Sequence, residues 1–153
     1  MQNKHRWLSI LLWSLTAGWL VLALFLSSQT GEETGNLSMS ISSFIGKVLG
    51  LAESTTPTIN TVIRKAAHIV VYLILSSFAA AAAIITFTKH RFAWLWPLPP
   101  CVLIAILDEV RKAAIPGRHC SWGEATLNVV GCVVGATVVW AIAQAKFLHK
   151  ISY

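Results

Sequence analysis

Polar side chains able to bind an anion or move a proton recur every four residues in one apolar region. Arg64, His68 and Tyr72 share one face of a helix over roughly 12 Å, because residues four apart are neighbours on a helix. Lys65 lies beside them. Guanidinium and ammonium groups bind phosphate and carboxylate, and a histidine exchanges protons near neutral pH. This face therefore predicts anion binding next to an acid/base group.

A second polar group comes later in the chain. Asp108 and Glu109 end an apolar stretch, and Arg118 follows a Pro-Gly turn. Ser121 precedes the last apolar stretch and Asn128 lies within it. A carboxylate beside a histidine is a common acid/base pair. We expect this group to meet the first at one end of a helical bundle.

Together the two groups predict one polar pocket. The predicted catalytic residues are His68, Asp108 and Glu109. The predicted ligand-binding residues are Arg64, Lys65, Tyr72, Arg118, Ser121 and Asn128. A structural alternative stays open, in which arginine and carboxylate side chains only close the bundle as ion pairs.

Other chemistry has weaker signals. His68, Asp108, Glu109, His119 and Cys120 are of metal-ligand type, but neither C-x-x-C nor H-E-x-x-H spacing occurs. The serine-nucleophile patterns G-x-S-x-G and S-x-x-K are also missing from the sequence. We therefore predict neither a metal nor a cofactor.

The elements that position these residues are membrane helices. The 153 residues are 56% hydrophobic and only 12% charged, well outside the range of soluble domains. Four apolar stretches predict spans at about 8–26, 66–87, 94–112 and 125–145, in one domain covering 1–153. The sequence thus predicts an all-α integral membrane bundle. The first stretch is longer than the apolar part of a signal peptide, so we expect it to stay as a helix.

The third span is long enough to cross the bilayer only if it includes two carboxylates. Pro97, Pro99 and Pro100 belong in the first turn of a helix, and the apolar part that follows is too short to cross the bilayer. The helix must therefore continue through Asp108 and Glu109, whose charges must face the bundle or water.

A further helix is predicted between the first two spans. Apolar residues recur at helical spacing between Leu37 and Leu51, with serines and Lys47 on the other side. This amphipathic helix either lies on the membrane surface or caps the bundle.

The charge distribution predicts orientation. Four spans place both termini and the 88–92 connector on one side, with six cations and no acidic residue: Lys4, Arg6, Lys89, Arg91, Lys146 and Lys150. The positive-inside rule makes this side cytoplasmic, so the polar pocket faces outward. The excess of basic over acidic residues therefore indicates orientation. We expect the lipid bilayer, not nucleic acid, as the partner.

Three segments resemble the VanZ-like family of bacterial membrane proteins, which is named after a teicoplanin-resistance protein. They are FLSSQTG (25–31), RKAAHIVVYLIL (64–75) and LDEVRKAAIPGRHCSWGEATLNVVGCVVG (107–135). The family's R-K-x-x-H-x-x-x-Y, D-E, P-G-R and N-x-x-G-x-x-x-G patterns fall in register on the residues already singled out. The chain has Val71 where the family commonly has Glu, Lys112 where it has Gln, and Glu124 where it has Asp. The first two differences remove an acid and add a cation, which makes the pocket more positive.

The resemblance implies a multi-pass protein of the bacterial inner membrane with a role in the cell envelope, including glycopeptide-antibiotic tolerance. Two functions follow from the sequence. In the first, the pocket binds or modifies an anionic cell-wall or lipid-linked group. In the second, the protein is a non-catalytic scaffold or partner subunit whose polar cluster is structural. Whether the protein is an enzyme stays open at this point.

Overall fold

A computed structural model describes the backbone of residues 2–151 and the side chains of residues 5–145, and within these residues every regular secondary-structure element is helical. This confirms the predicted all-α class. The helices are α1 (Gln2–Ser27), α2 (Gly31–Val48), α3 (Thr56–Thr86), α4 (Leu98–Arg111) and α5 (Trp122–Ile151). Short 3-10 turns precede α3 and α4, at Glu53–Thr55 and Ala93–Leu95, and one follows α4 at Lys112–Ala114.

Four segments are long and apolar enough to cross a membrane. They are His5–Ser27, Glu53–Thr86, Ala93–Ala114 and Trp122–Ala145. With 31 residues, α3 is longer than the roughly 20 residues that a bilayer requires, so its first turns extend past the apolar stretch. The chain is therefore a multi-pass membrane protein.

The bundle is built around α3, which packs against α1, α2, α4 and most extensively α5. The closest approach is made at two glycines of α5. A Cβ atom at Gly131 would overlap the carbonyl oxygen of Ile69, and one at Gly135 would overlap that of Leu73. Small residues allow such approach between membrane helices, where apolar burial gives little net attraction.

The extra helix α2 lies with its small residues toward the bundle. Ser38, Ser42 and Gly46 are buried, and a Cβ at Gly46 would meet the Ile59 side chain of α3. Other large apolar side chains of α2 are exposed, and Phe44 and Val48 are 67% and 69% exposed. This orientation fits a helix at the membrane interface, because lipid replaces the protein core as the apolar neighbour.

The start of α2 is fixed by a capping box. The Thr30 hydroxyl accepts a hydrogen bond from the Glu33 backbone N–H, and the Glu33 carboxylate accepts from the Thr30 backbone N–H at 2.9 Å. These hydrogen bonds from Thr30 lower the pKa of Glu33. At the first residue of this helix, the Gly31 N–H donates to the carbonyl of Pro116, so the loop before α5 lies on the start of α2.

The short α4 explains how two carboxylates come to lie inside the bundle. Pro97 caps the helix, and Pro99 and Pro100 lie in its first turn. Its 14 residues span about 21 Å, which is less than the apolar thickness of a bilayer. Asp108 and Glu109 in its last turn are both buried. The expectation that these charges face the bundle agrees with the structure.

Replacing Gly131 by alanine tests the contact between α3 and α5. We expect Gly131→Ala to lower the free energy of unfolding by about 1–3 kcal/mol, because the added methyl group overlaps the α3 backbone. Gly18→Ala in α1 is the matched control, since a Cβ there has no neighbour within 4 Å and alanine favours a helix. Thermal unfolding in detergent measures both variants. Equal midpoints for the two would show that the α3–α5 contact is looser than described.

Candidate functional site

The centre of the site is a buried ammonium group between two carboxylates. The Lys112 Nζ lies 2.6 Å from Glu109 Oε2 and 3.4 Å from Glu124 Oε2. The Lys112 residue is 2% exposed and Glu109 is fully buried. Charges this deep in a protein require partners at hydrogen-bond distance, since an unpaired buried charge costs several kcal/mol. We call Glu109, Lys112, Glu124 and His68 the buried ion cluster.

The imidazole of His68 connects this cluster to α3. Its Nε2 lies 3.0 Å from Glu124 Oε2, and its Nδ1 lies 3.0 Å from the Asn128 Oδ1. Both ring nitrogens thus have a polar partner on α5, which fixes the orientation of the ring. Glu124 and Asn128 are four residues apart on α5, so one helix face supplies both partners.

A second set of polar contacts lies on the other side of the pocket. The Tyr72 hydroxyl donates to Asp108 Oδ2 at 3.0 Å, and the Arg111 guanidinium donates to Asp108 Oδ1 at the same distance. The same Arg111 nitrogen also donates to the carbonyl of Leu24 in α1, at 3.0 Å. Asp108 is therefore fixed by a neutral donor and a cation from two helices.

The loop before α5 completes the polar end. The Arg118 guanidinium donates to the carbonyl of Gln29 and to the hydroxyl of Thr34, both at 3.1 Å, so it connects this loop to α2. The Ser121 backbone N–H donates to Glu109 Oε1 at 3.1 Å. Its hydroxyl accepts from the Glu124 N–H at 3.4 Å, as in a helix N-cap. Arg118 and Ser121 thus both contribute to closing the bundle.

These groups border a cavity of about 230 Å³ between α1, α2, α3 and α4, called here the mixed cavity. Its polar lining includes Arg64, His68, Tyr72, Asp108, Lys112 and Arg118. Its apolar lining includes Ala23, Leu26, Leu37, Ile41, Ile63 and Val71. A smaller polar cavity of about 110 Å³ shares Arg64, Lys112 and Arg118 with it and reaches His119. The mixed cavity therefore has a cationic end and a hydrocarbon side.

The predicted site residues occupy three kinds of position. Those lining the mixed cavity are Arg64, His68, Tyr72, Asp108 and Arg118. Those that make the supporting hydrogen bonds are Glu109, Ser121 and Asn128. Lys65 is exposed on α3 and is outside the described lining, so the geometry gives its predicted binding role the least support. The roles of all nine stay predictions.

Two residues that complete the site were not among the predicted site residues. Glu124, and not Asp108 or Glu109, is the carboxylate that hydrogen-bonds His68. Lys112 is the cation of the buried ion cluster. Helical spacing held a signal for both, because Glu124 lies four residues before Asn128 and Lys112 three residues after Glu109.

One group of side chains has the composition of a metal site. Ligand atoms of His68, Glu109 and Glu124 lie within 4.8 Å of one another. The Lys112 ammonium lies within 3.4 Å of both carboxylates, so the chain itself supplies a cation to this group. The prediction that no metal binds here stays a prediction.

The fold and the site define a class, namely small multi-pass helical membrane proteins with an ion cluster buried at one end of the bundle. A family model described as VanZ/LLP1 matches residues 12–144. The chain therefore belongs to the VanZ/LLP1 family, and the VanZ-like resemblance of its motifs is confirmed. No curated protein and no solved structure was found to match the chain.

Removing the buried ammonium tests the ion cluster. We expect Lys112→Met to lower the free energy of unfolding by about 3–5 kcal/mol, because Glu109 would lose its partner while staying buried. Adding Glu109→Gln to this variant removes the unpaired charge and is expected to recover much of the lost free energy of unfolding. Thermal unfolding in detergent measures each variant.

The exposed Lys65 supplies the control for this cycle. Lys65→Met makes the same chemical change on the surface and is expected to alter stability by less than about 0.5 kcal/mol. If the Lys112 single variant is as stable as the Lys65 variant, the pairing does not contribute to the fold.

Proposed function

We propose that this VanZ/LLP1 membrane protein binds an anionic group, such as a phosphate, at the outer face of the membrane. The supporting observation is the mixed cavity, whose lining includes the three cations Arg64, Lys112 and Arg118 together with a set of apolar side chains. The group is attached to a lipid or to a cell-wall precursor. This role in the cell envelope includes tolerance of glycopeptide antibiotics, as the family resemblance implies.

The charge balance around the cavity favours an anion. Four cations, Arg64, Arg111, Lys112 and Arg118, face three carboxylates, Asp108, Glu109 and Glu124. One positive charge is thus in excess before the His68 ring is counted. An excess positive charge attracts an anion, and the attraction grows where the cavity excludes water and the local dielectric is low.

Arg64 is the cation best placed to contact the anion. Its side chain is 42% exposed, and the ion pair that it makes within the described residues is with Glu124 at 3.8 Å. That separation is longer than a hydrogen bond, so its donors are less committed than those of Lys112. A guanidinium also matches the geometry of phosphate and carboxylate oxygens.

Binding is supported better than catalysis. Asp108 and Glu109, the predicted acid/base carboxylates, each accept hydrogen bonds from a cation of the chain. Neither lies at hydrogen-bond distance from His68, whose described carboxylate partner is Glu124. A general base must reach the proton it removes, and here the carboxylates are already occupied.

The effect of Arg64→Ala on ligand affinity tests this proposal. Farnesyl phosphate is the probe. Farnesol has the same hydrocarbon chain without the charge, and inorganic phosphate has the charge without the chain. We expect Arg64→Ala to weaken farnesyl phosphate binding about tenfold or more, because one charge-assisted hydrogen bond is lost. Isothermal titration calorimetry on purified protein measures the affinity.

The control is the neighbouring Lys65→Ala, which removes the same charge outside the cavity lining. It is expected to change the affinity less than twofold. Equal binding of farnesol and farnesyl phosphate, or equal losses in the two variants, would contradict an anion site at Arg64.

A structural scaffold is the second candidate, and the buried ion cluster favours it. The Glu109 carboxylate and the Lys112 ammonium have partners within the protein, as expected of polar groups that only hold the helices together. In this case cells carrying Arg64→Ala at normal abundance keep the wild-type glycopeptide sensitivity. A changed sensitivity at unchanged abundance argues for the cavity instead.

The proposed orientation places both termini in the cytoplasm and Cys120 outside. The side chains of Lys4, Lys146 and Lys150, which support this orientation, lie outside the described residues. We expect a membrane-impermeant maleimide to label Cys120 in intact cells, whereas Cys101 and Cys132 are buried. Lys89→Cys in a Cys120→Ser background should react only after permeabilisation, because it lies on the opposite side. The reverse pattern would show the opposite orientation.

A further inference from the structure

A second, apolar cavity continues the mixed cavity toward the opposite membrane surface. It measures about 330 Å³ and lies between α1, α3 and α4. Residues that line it include Thr16, Leu20, Leu75, Cys101 and Ile104. α1 packs on α3 and α4 packs mainly on α5, and the two make little direct contact, so a groove is left between them. We call this space the apolar groove.

The same face of each helix lines both cavities. On α1, Leu20 of the groove is followed one turn later by Ala23 of the mixed cavity. On α3, Leu75 and Tyr72 are related in the same way. Residues three or four apart lie on one helix face, so the two cavities follow one another along the same faces of the bundle, a path that a flexible chain could take. The hydrogen bond between Tyr72 and Asp108 marks the boundary.

The path is longer than one leaflet. On α3 the apolar groove is lined from Leu75 to Phe87. At 1.5 Å per residue these positions lie about 16 Å and about 34 Å along the helix from Arg64. One leaflet accounts for about 15 Å of the hydrocarbon thickness. A chain that starts at Arg64 and fills the groove must therefore cross the midplane.

We propose that the anion bound at Arg64 is the phosphate of a lipid with a polyisoprenoid-length chain, and that this chain lies in the apolar groove. The inference rests on the proposed function, since the cationic end of the mixed cavity sets the position of the head group. Charge complementarity at that end and the apolar lining beyond it match one amphiphile. An ordinary acyl chain fills one leaflet of about 15 Å, a depth that ends near the start of the groove.

A chain-labelled lipid tests the position. A long-chain polyprenyl phosphate with a diazirine near its far end is photolysed with the purified full-length protein in lipid nanodiscs. We expect crosslinks on residues at the far end of the groove, such as Trp13 and Phe87, at least fivefold above those on the exposed α5 residues Val134 and Val138. Unlabelled polyprenyl phosphate should compete, and phosphatidylcholine should not.

Filling the groove provides the matched variant. Thr16→Leu places a larger side chain in it, and we expect at least a fivefold loss of groove crosslinks with unchanged affinity for farnesyl phosphate. Thr137→Leu is the control, because each hydroxyl bonds the carbonyl four residues earlier and Thr137 is exposed on α5. It should leave the crosslinks as they are.

The outcomes separate the two proposals. Crosslinks spread evenly over the lipid-facing helix surfaces, with farnesyl phosphate still bound through Arg64, would overturn the groove and leave the head-group site. If the wild-type protein does not bind farnesyl phosphate at all, both the head-group site and the groove proposal are wrong. Equal crosslinking in the Thr16 and wild-type proteins would also count against the groove.

Discussion

The Lys112 ammonium is the interaction on which the polar end of this bundle depends. Two carboxylates from different parts of the chain, Glu109 and Glu124, share it in a place that water does not reach freely. The other oxygen of Glu109 accepts the Ser121 N–H, so the same carboxylate sets where α5 begins. Because Glu124 also bonds His68, the end of α4, the loop and α3 are positioned by one group of charges.

Close helix packing and the charges support each other. Gly131 and Gly135 allow α5 to approach the α3 backbone more closely than any larger residue would permit. At that separation the short side chain of Asn128 reaches His68. Small-residue contacts supply the attraction that apolar burial does not give within a membrane, and the polar contacts then set the register of the two helices.

Much of the fold was predictable from the sequence, because span length and apolar periodicity are set by the bilayer itself. The orientation of α2 was harder, since periodicity marks an apolar side without saying whether protein or lipid covers it. For the site, the spacing of Arg64, His68 and Tyr72 shows a shared face but not which carboxylate reaches the ring. The contacts of Arg118 with loop carbonyls depend on the path of the loop, which no pattern of residue types encodes.

The loose attachment of α1 has a consequence for access to the interior of the bundle. Only 6% of its apolar window is buried, against 33–39% for the other three spans. The Trp19 indole, which donates to the carbonyl of Val71, is one of its few polar links to α3. Displacing α1 sideways therefore disturbs fewer contacts than displacing any other span. A molecule dissolved in the bilayer would thus enter laterally, through the seam beside α1, without first leaving the hydrocarbon for water.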